Sequence, residues 1–178
     1  MQFLPLDRLG RRIVVCGPSN AGKSTLAHAI GRKIELPVVY LDLLRHIPNT
    51  DWEMKPDEEF EALHAEAVAG ENWVMEGNYT SLIQPRLSRA TGVVLLGSEP
   101  LRGLFRYVRR TLFEKQRAGM LEGGTDRLKW PMAHFIVFRQ PQKHERDRTT
   151  LRSSGLPMVD LPSMRALERL YEAWGLER

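Results

Sequence analysis

From Gly17 to Ser24 the chain has the spacing G-x-x-x-x-G-K-S, with Gly17, Gly22, Lys23 and Ser24 in the four fixed places. Each residue type has a physical job at its place. The glycines let successive backbone N–H groups turn inward around phosphate oxygens. The lysine reaches the outer phosphates, and the serine hydroxyl ligates Mg²⁺. Ser19, Asn20, Ala21 and Thr25 complete the loop, so Gly17, Ser19, Asn20, Ala21, Gly22, Lys23, Ser24 and Thr25 form the expected phosphate-binding set. A helix starting near Lys23 adds the positive end of its dipole. Four fixed residues at this spacing should arise by chance in roughly one chain of this length in a hundred or fewer.

Two carboxylates come next. Asp42 ends the apolar run "PVVYLD", and Glu76 ends "NWVMEGN" before Gly77. Three roles are open to Asp42: to orient or deprotonate an acceptor hydroxyl, to hold Mg²⁺ through water, or to cap the segment that follows. Glu76 either holds a Mg²⁺-bound water or satisfies nearby backbone. Arg102, Arg106, Arg109 and Arg110 recur at spacings of three and four, on one face of a helix. They either clamp a transferring phosphoryl group, with Arg106 and Arg110 as the expected contacts, or form a solvated face. Arg139 and Arg146 are a weaker second set. His46, His64, His134 and His144 lack metal-ligand spacing, which argues against zinc, and His28 reads as packing or surface. Trp52 and Tyr79 either line a pocket or pack; Trp73 reads as core.

The elements that must position these residues follow from periodicity. Ile13–Cys16, Pro37–Asp42, Asn72–Glu76, Gly92–Gly97 and Leu156–Leu161 read as buried strands. Helical spacing follows the loop at Leu26, Ile30 and Ile34. It recurs from Pro56 to Ala69, from Thr80 to Arg89, from Glu99 to Ala118, and from Met164 to Trp174. Residues 126–148 read as partly helical, with breaks expected at Pro131 and Pro141. Strands apolar on both faces, alternating with helices, make a parallel sheet covered on both sides. Ligands then gather at the carboxyl ends of the strands, where the glycine loop, Asp42 and Glu76 all fall.

Composition bounds the rest. The chain has 178 residues, 42% of them apolar, enough for one sizeable core. No apolar run approaches the ~20 residues of a membrane span, and "MQFLPLDRLGRR" is too short and broken for a secretory signal. The lone cysteine, Cys16, excludes an internal disulfide, so a cytoplasmic location is expected. The net charge of +4 is uneven: residues 101–152 carry net +8, and the flanking parts −3 and −1. A basic segment of this kind serves nucleotide, nucleic acid or solubility.

Three stretches, "GPSNAGKST", "WVMEGNY" and "LFRYVRR", together resemble the small P-loop kinases related to adenylate kinase, including the shikimate and gluconate kinase type. The arrangement is most similar to a bacterial branch labelled DNA-topology-modulation-like. The resemblance implies an α/β P-loop NTPase three-layer sandwich: a five-stranded parallel sheet of order 2-3-1-4-5, helices on both faces and a helical lid. It also implies a single domain with an acceptor-binding insertion at about 43–70 and a lid at about 119–148. ATP and Mg²⁺ are the implied cofactors and a small-molecule phosphoryl acceptor the implied partner. Lys23, Asp42, Arg106 and Arg110 are the expected catalytic residues, and Ser24 and Glu76 the expected metal ligands. The sequence departs from adenylate kinases at Glu76, where Asp is usual, and at Asn78-Tyr79-Thr80, where Phe-Pro-Arg is usual. The second departure argues against an AMP-type acceptor. The competing expectations are an ATP-operated nucleic-acid-binding regulator and a bare ATPase.

Overall fold

Five apolar segments pair side by side, and all run parallel. They are β1 (Arg12–Cys16), β2 (Val38–Tyr40), β3 (Trp73–Glu76), β4 (Gly92–Leu96) and β5 (Met158–Leu161). Their order is β2-β3-β1-β4-β5, as the resemblance implied. The computed structural model describes residues 3–97, 100–113, 119–121, 130 and 134–177; some helical positions, Arg102 and Arg110 among them, are described in backbone only.

Successive strand residues point to opposite faces, and two core layers result. Ile13, Val15, Val74, Val94, Leu96, Val159 and Leu161 enter one layer. It is closed by α1 (Lys23–Ile34) through Leu26, Ala27 and Ile30, and by α7 (Met164–Trp174) through Leu167, Leu170, Tyr171 and Trp174. Val14, Cys16, Met75, Val93 and Leu95 enter the other. That layer is covered by Leu41 of α2 (Leu41–Arg45), Val68 of α3 (Asp57–Ala69), Ile83 and Leu87 of α4 (Ile83–Arg89) and Leu151 of α6 (Gln140–Ser153). Between α4 and α6 lies α5 (Pro100–Phe113). Ser163 caps α7 by accepting the Ala166 N–H, and Gly175 ends it in the left-handed region. Trp174 Nε1–H donates to the Leu4 carbonyl at 3.0 Å, tying the last helix to the first described segment.

Three expectations are corrected. The second strand stops at Tyr40, so Asp42 lies in the first turn of α2 and not in the strand. The region around Pro141 is not a break. A π-helical turn, Phe135–Arg139, runs directly into α6, and Pro141 sits in the first turn of α6, where no intrahelical N–H is needed. The helix then continues to Ser153, past the expected end near 148. Residues 114–118 and 122–129, expected to end the fifth helix and to form much of a lid, lie outside the described residues, as does the expected break at Pro131.

Candidate active site

The glycine loop joins β1 to α1, and its glycines are there for close approach. Gly17 has φ +149°, and a Cβ added there would lie 2.6 Å from the Leu96 carbonyl oxygen. Any side chain would force β1 and β4 apart. Gly22, at φ +92°, precedes α1, and no side chain caps the helix. The first helix-type bond is Leu26 N–H to Gly22 O, so the N–H groups of Lys23, Ser24 and Thr25 precede the intrahelical ladder. Asn20 also takes a left-handed conformation. The loop therefore presents N–H groups at a helix start, the arrangement that suits phosphate oxygens.

Pairing of β1 with β3 puts Glu76 beside the loop, opposite Val15. Glu76 is only 3% exposed. Lys23 Nζ stands 3.6 Å from its Oε1, and Ser24 Oγ–H donates to its Oε2 at 3.2 Å. Lys23 also donates to the Pro18 carbonyl at 3.1 Å. Burial pushes the Glu76 carboxyl above the usual range, opposed chiefly by Lys23. The residues after Glu76 are equally constrained. The Asn78 carboxamide makes a two-way pair with Gly17, accepting its N–H at 3.0 Å and donating to its carbonyl at 2.9 Å. Tyr79 O–H donates to Asp42 Oδ1 at 2.7 Å, and burial followed by Asp42 keeps that phenol protonated. Arg86 of α4 is fully buried and donates to the carbonyls of Gly77, Asn78, Tyr79 and Leu82.

Lys23, Asp42, Glu76, Asn78 and Tyr79 line one cleft of about 200 Å³ with Ser19 of the loop. Its other wall is α6, through Gln140, Lys143, His144 and Asp147. Gln140 Oε1 accepts the Ser19 N–H at 2.9 Å, and Thr80 Oγ1–H donates to Asp147 Oδ1 at 3.0 Å. Burial, then Arg148, lowers the pKa of His144; its Nε2 is out of solvent and unpartnered.

Of the expected site residues, Lys23, Asp42, Ser19 and Glu76 line this cleft, while Thr25 is exposed on α1. Arg106 donates through Nε to the Asn20 carbonyl at 2.6 Å, so this contact supports the loop backbone. The side chains of Arg102 and Arg110 lie outside the described residues. Arg139 and Arg146 are exposed and do not line the cleft. Arg45 is paired with Asp57 at 2.7 Å and stacked over Phe60. Sequence reasoning missed Asn78, Gln140, Lys143, His144 and Asp147 as cleft residues. The i, i+3, i+4, i+7 spacing of the last four was a readable signal, but only once that segment was known to be one unbroken helix.

The donor set fits the implied ATP and Mg²⁺. Ser24 Oγ and the Glu76 carboxylate are hard oxygen ligands side by side at the loop. Among the described residues no three His, Cys, Asp or Glu side chains could cage a metal alone. That suits an ion which keeps waters and takes the rest of its ligands from phosphates. Ser24 and Glu76 would hold it, the 17–25 loop would hold the phosphates, and Lys23 would reach the outer ones.

No protein-family model matches the chain, and no curated protein matches it in sequence. Among solved structures it is similar to a shikimate kinase from Bacteroides thetaiotaomicron: 20% identity, 93% of this chain and 99% of that one covered, TM-score 0.50. It is also similar to a gluconokinase from Sinorhizobium meliloti 1021: 20% identity, 93% and 95% covered, TM-score 0.54. The shared feature is the fold: a five-stranded parallel sheet of order 2-3-1-4-5 wrapped by helices.

Proposed function

We propose that the chain is a Mg-ATP-dependent phosphotransferase that moves the γ-phosphoryl group to a small acceptor. The observation that carries this is the meeting of Lys23, Ser24 and the buried Glu76 beneath the glycine loop, with Asp42 across the same cleft. The similarity to two named kinases supports it. Lys23 leaves the Pro18 carbonyl and Glu76 for the outer phosphates. Ser24 and Glu76 would hold magnesium, which would neutralise charge on the transferring group. Asp42, held at one oxygen by Tyr79, takes the proton of the acceptor hydroxyl at the other. Asn78 and Arg106 hold the loop at Gly17 and Asn20, which keeps the N–H groups of Lys23, Ser24 and Thr25 in place at the helix start for phosphate oxygens. Arg110, one helical turn beyond Arg106, is the proposed arginine contact to the phosphoryl group.

Residues 43–70 supply the acceptor side and 119–148 the lid in this reading, within one cytoplasmic domain. No described helix is long and apolar enough to cross a membrane. The finer likeness to the DNA-topology-modulation-like branch rests on the arrangement as a whole, "WVMEGNY" and the arginine-bearing helix included. Nucleic acid is not the favoured partner, because Arg106 and Arg148 are engaged within the fold, at Asn20 and Asp160.

The test is calorimetry with Mg-ATP and a coupled assay of ADP release. The wild type binds, and Lys23→Ala loses turnover and at least tenfold in affinity, as expected for a lost charge-assisted contact of about 1.5–3 kcal/mol. Equal affinity and equal turnover in the two proteins refute the assignment.

A further inference from the structure

Consecutive residues Tyr79 and Thr80 each donate a hydroxyl hydrogen bond to a carboxylate on a different element. Tyr79 bonds Asp42 in α2 at 2.7 Å, and Thr80 bonds Asp147 in α6 at 3.0 Å. Both carboxylates line the cleft, and each has one oxygen with no hydrogen-bond partner among the described residues. Along α6 the cleft-facing residues follow one stripe. Gln140 is bonded to the glycine loop at Ser19, Lys143 and His144 come one turn later, and Asp147 one turn after that. At 1.5 Å rise per residue, the stripe reaches about 10 Å from the phosphate end of the cleft to its far end. Lys143 thus lies one turn from the Gln140 anchor at the glycine loop, and Asp147 at the other end of the stripe.

We infer that the acceptor is a small polyhydroxylated compound with no phosphate or carboxylate of its own, its hydroxyl groups donating to Asp42 and Asp147. The inference rests on the phosphotransferase reading above. An anionic acceptor would stand beside two carboxylates and the γ-phosphate, where like charges cost several kcal/mol. Among the described residues the cations that line the cleft are Lys23 and Lys143, both toward the glycine loop, while Arg45 pairs with Asp57, Arg86 with backbone carbonyls, Arg106 with Asn20 and Arg148 with Asp160. A cleft of about 200 Å³ is also smaller than the about 300–1,000 Å³ that drug-sized ligands occupy. In the reaction the acceptor oxygen bonds to the γ-phosphorus as the bond from that phosphorus to the β–γ bridging oxygen breaks. The hydroxyl proton passes to Asp42, and ADP leaves.

The full chain is assayed with Mg-ATP against glycerol, hexitols and aldohexoses. The matched second series contains sugar acids, sugar phosphates and nucleoside monophosphates. Binding of a non-hydrolysable ATP analogue is measured in parallel. The neutral series is preferred by about 100-fold or more in kcat/KM. Asp147→Asn raises the acceptor KM about tenfold with the ATP KM nearly unchanged, while Lys143→Ala lowers kcat and spares the acceptor KM. Thr80→Val removes the bond to Asp147 but leaves its carboxylate, and retains most of the acceptor affinity. Failure to bind the ATP analogue defeats the phosphotransferase reading itself. Analogue binding with the anionic series preferred, or with no neutral compound phosphorylated, overturns the acceptor class alone. The same holds if Asp147→Asn keeps the wild-type acceptor KM, or if Thr80→Val reproduces its full effect.

Discussion

His64 in α3 is 2% exposed, its Nε2 has no partner, and burial together with Arg86 pushes its pKa down to about 4. In the unfolded chain the same ring protonates near 6.5. The folded state therefore binds fewer protons between these values. The stability that the neutral ring contributes is complete above pH 6.5, falls as pH drops toward 4, and levels off below. The loss reaches as much as about 3 kcal/mol. Urea denaturation across this range is expected to show the slope in the wild type and to lose most of it in His64→Leu, which is also no less stable at pH 7. At this scale the sequence was most legible where chemistry is local: Gly17, Gly22, Lys23 and Ser24 act through their own short spacing. Arg86 was not legible, because an arginine in a polar-looking helix is ordinarily solvated, and only the folded 77–79 segment supplies the carbonyls that bury it.

The segment from Gly77 to Thr80 joins the two walls of the cleft, and Arg86 of α4 holds it by four carbonyls. Arg86→Met keeps much of the volume but leaves those carbonyls unpaired. It is expected to cost at least about 2–4 kcal/mol in chemical denaturation. It also weakens ATP binding, since Asn78 then no longer registers Gly17. Arg106→Ala in α5 is expected to weaken ATP binding as well as turnover, because its observed contact is to the loop at Asn20 and exists before any phosphoryl group moves. Calorimetry with Mg-ATP checks both variants. Unchanged affinity in Arg106→Ala would return that side chain to a transition-state role. Helices with an apolar stripe, α1 and α7, could be read from periodicity. α6 could not: from Gln142 to Thr150 it has no apolar residue. Which of its polar side chains meet the cleft depends on how Leu151 seats its far end in the core.

Five apolar runs separated by helical periods were enough to read a parallel sheet covered on both faces. Strand order was another matter: the runs themselves carry no mark of which neighbour each will take, and the order came from family resemblance. That order sets a schedule for the nascent chain. Of the five strands of this sheet β1 is the earliest in the chain and the central one, and neither of its neighbours is near it in sequence. β3 begins pairing at Trp73, and β4 at Gly92. At about 5–20 residues per second of translation, β1 waits several seconds for a first neighbour and longer for a second. During that wait Ile13, Val14 and Val15 are exposed, and the Leu96 carbonyl against which Gly17 closes has not been made. Ribosome-stalled chains of increasing length are therefore expected to keep β1 open to protease until β4 has left the exit tunnel. A companion that shields apolar nascent segments should engage this protein early, at its phosphate-loop end.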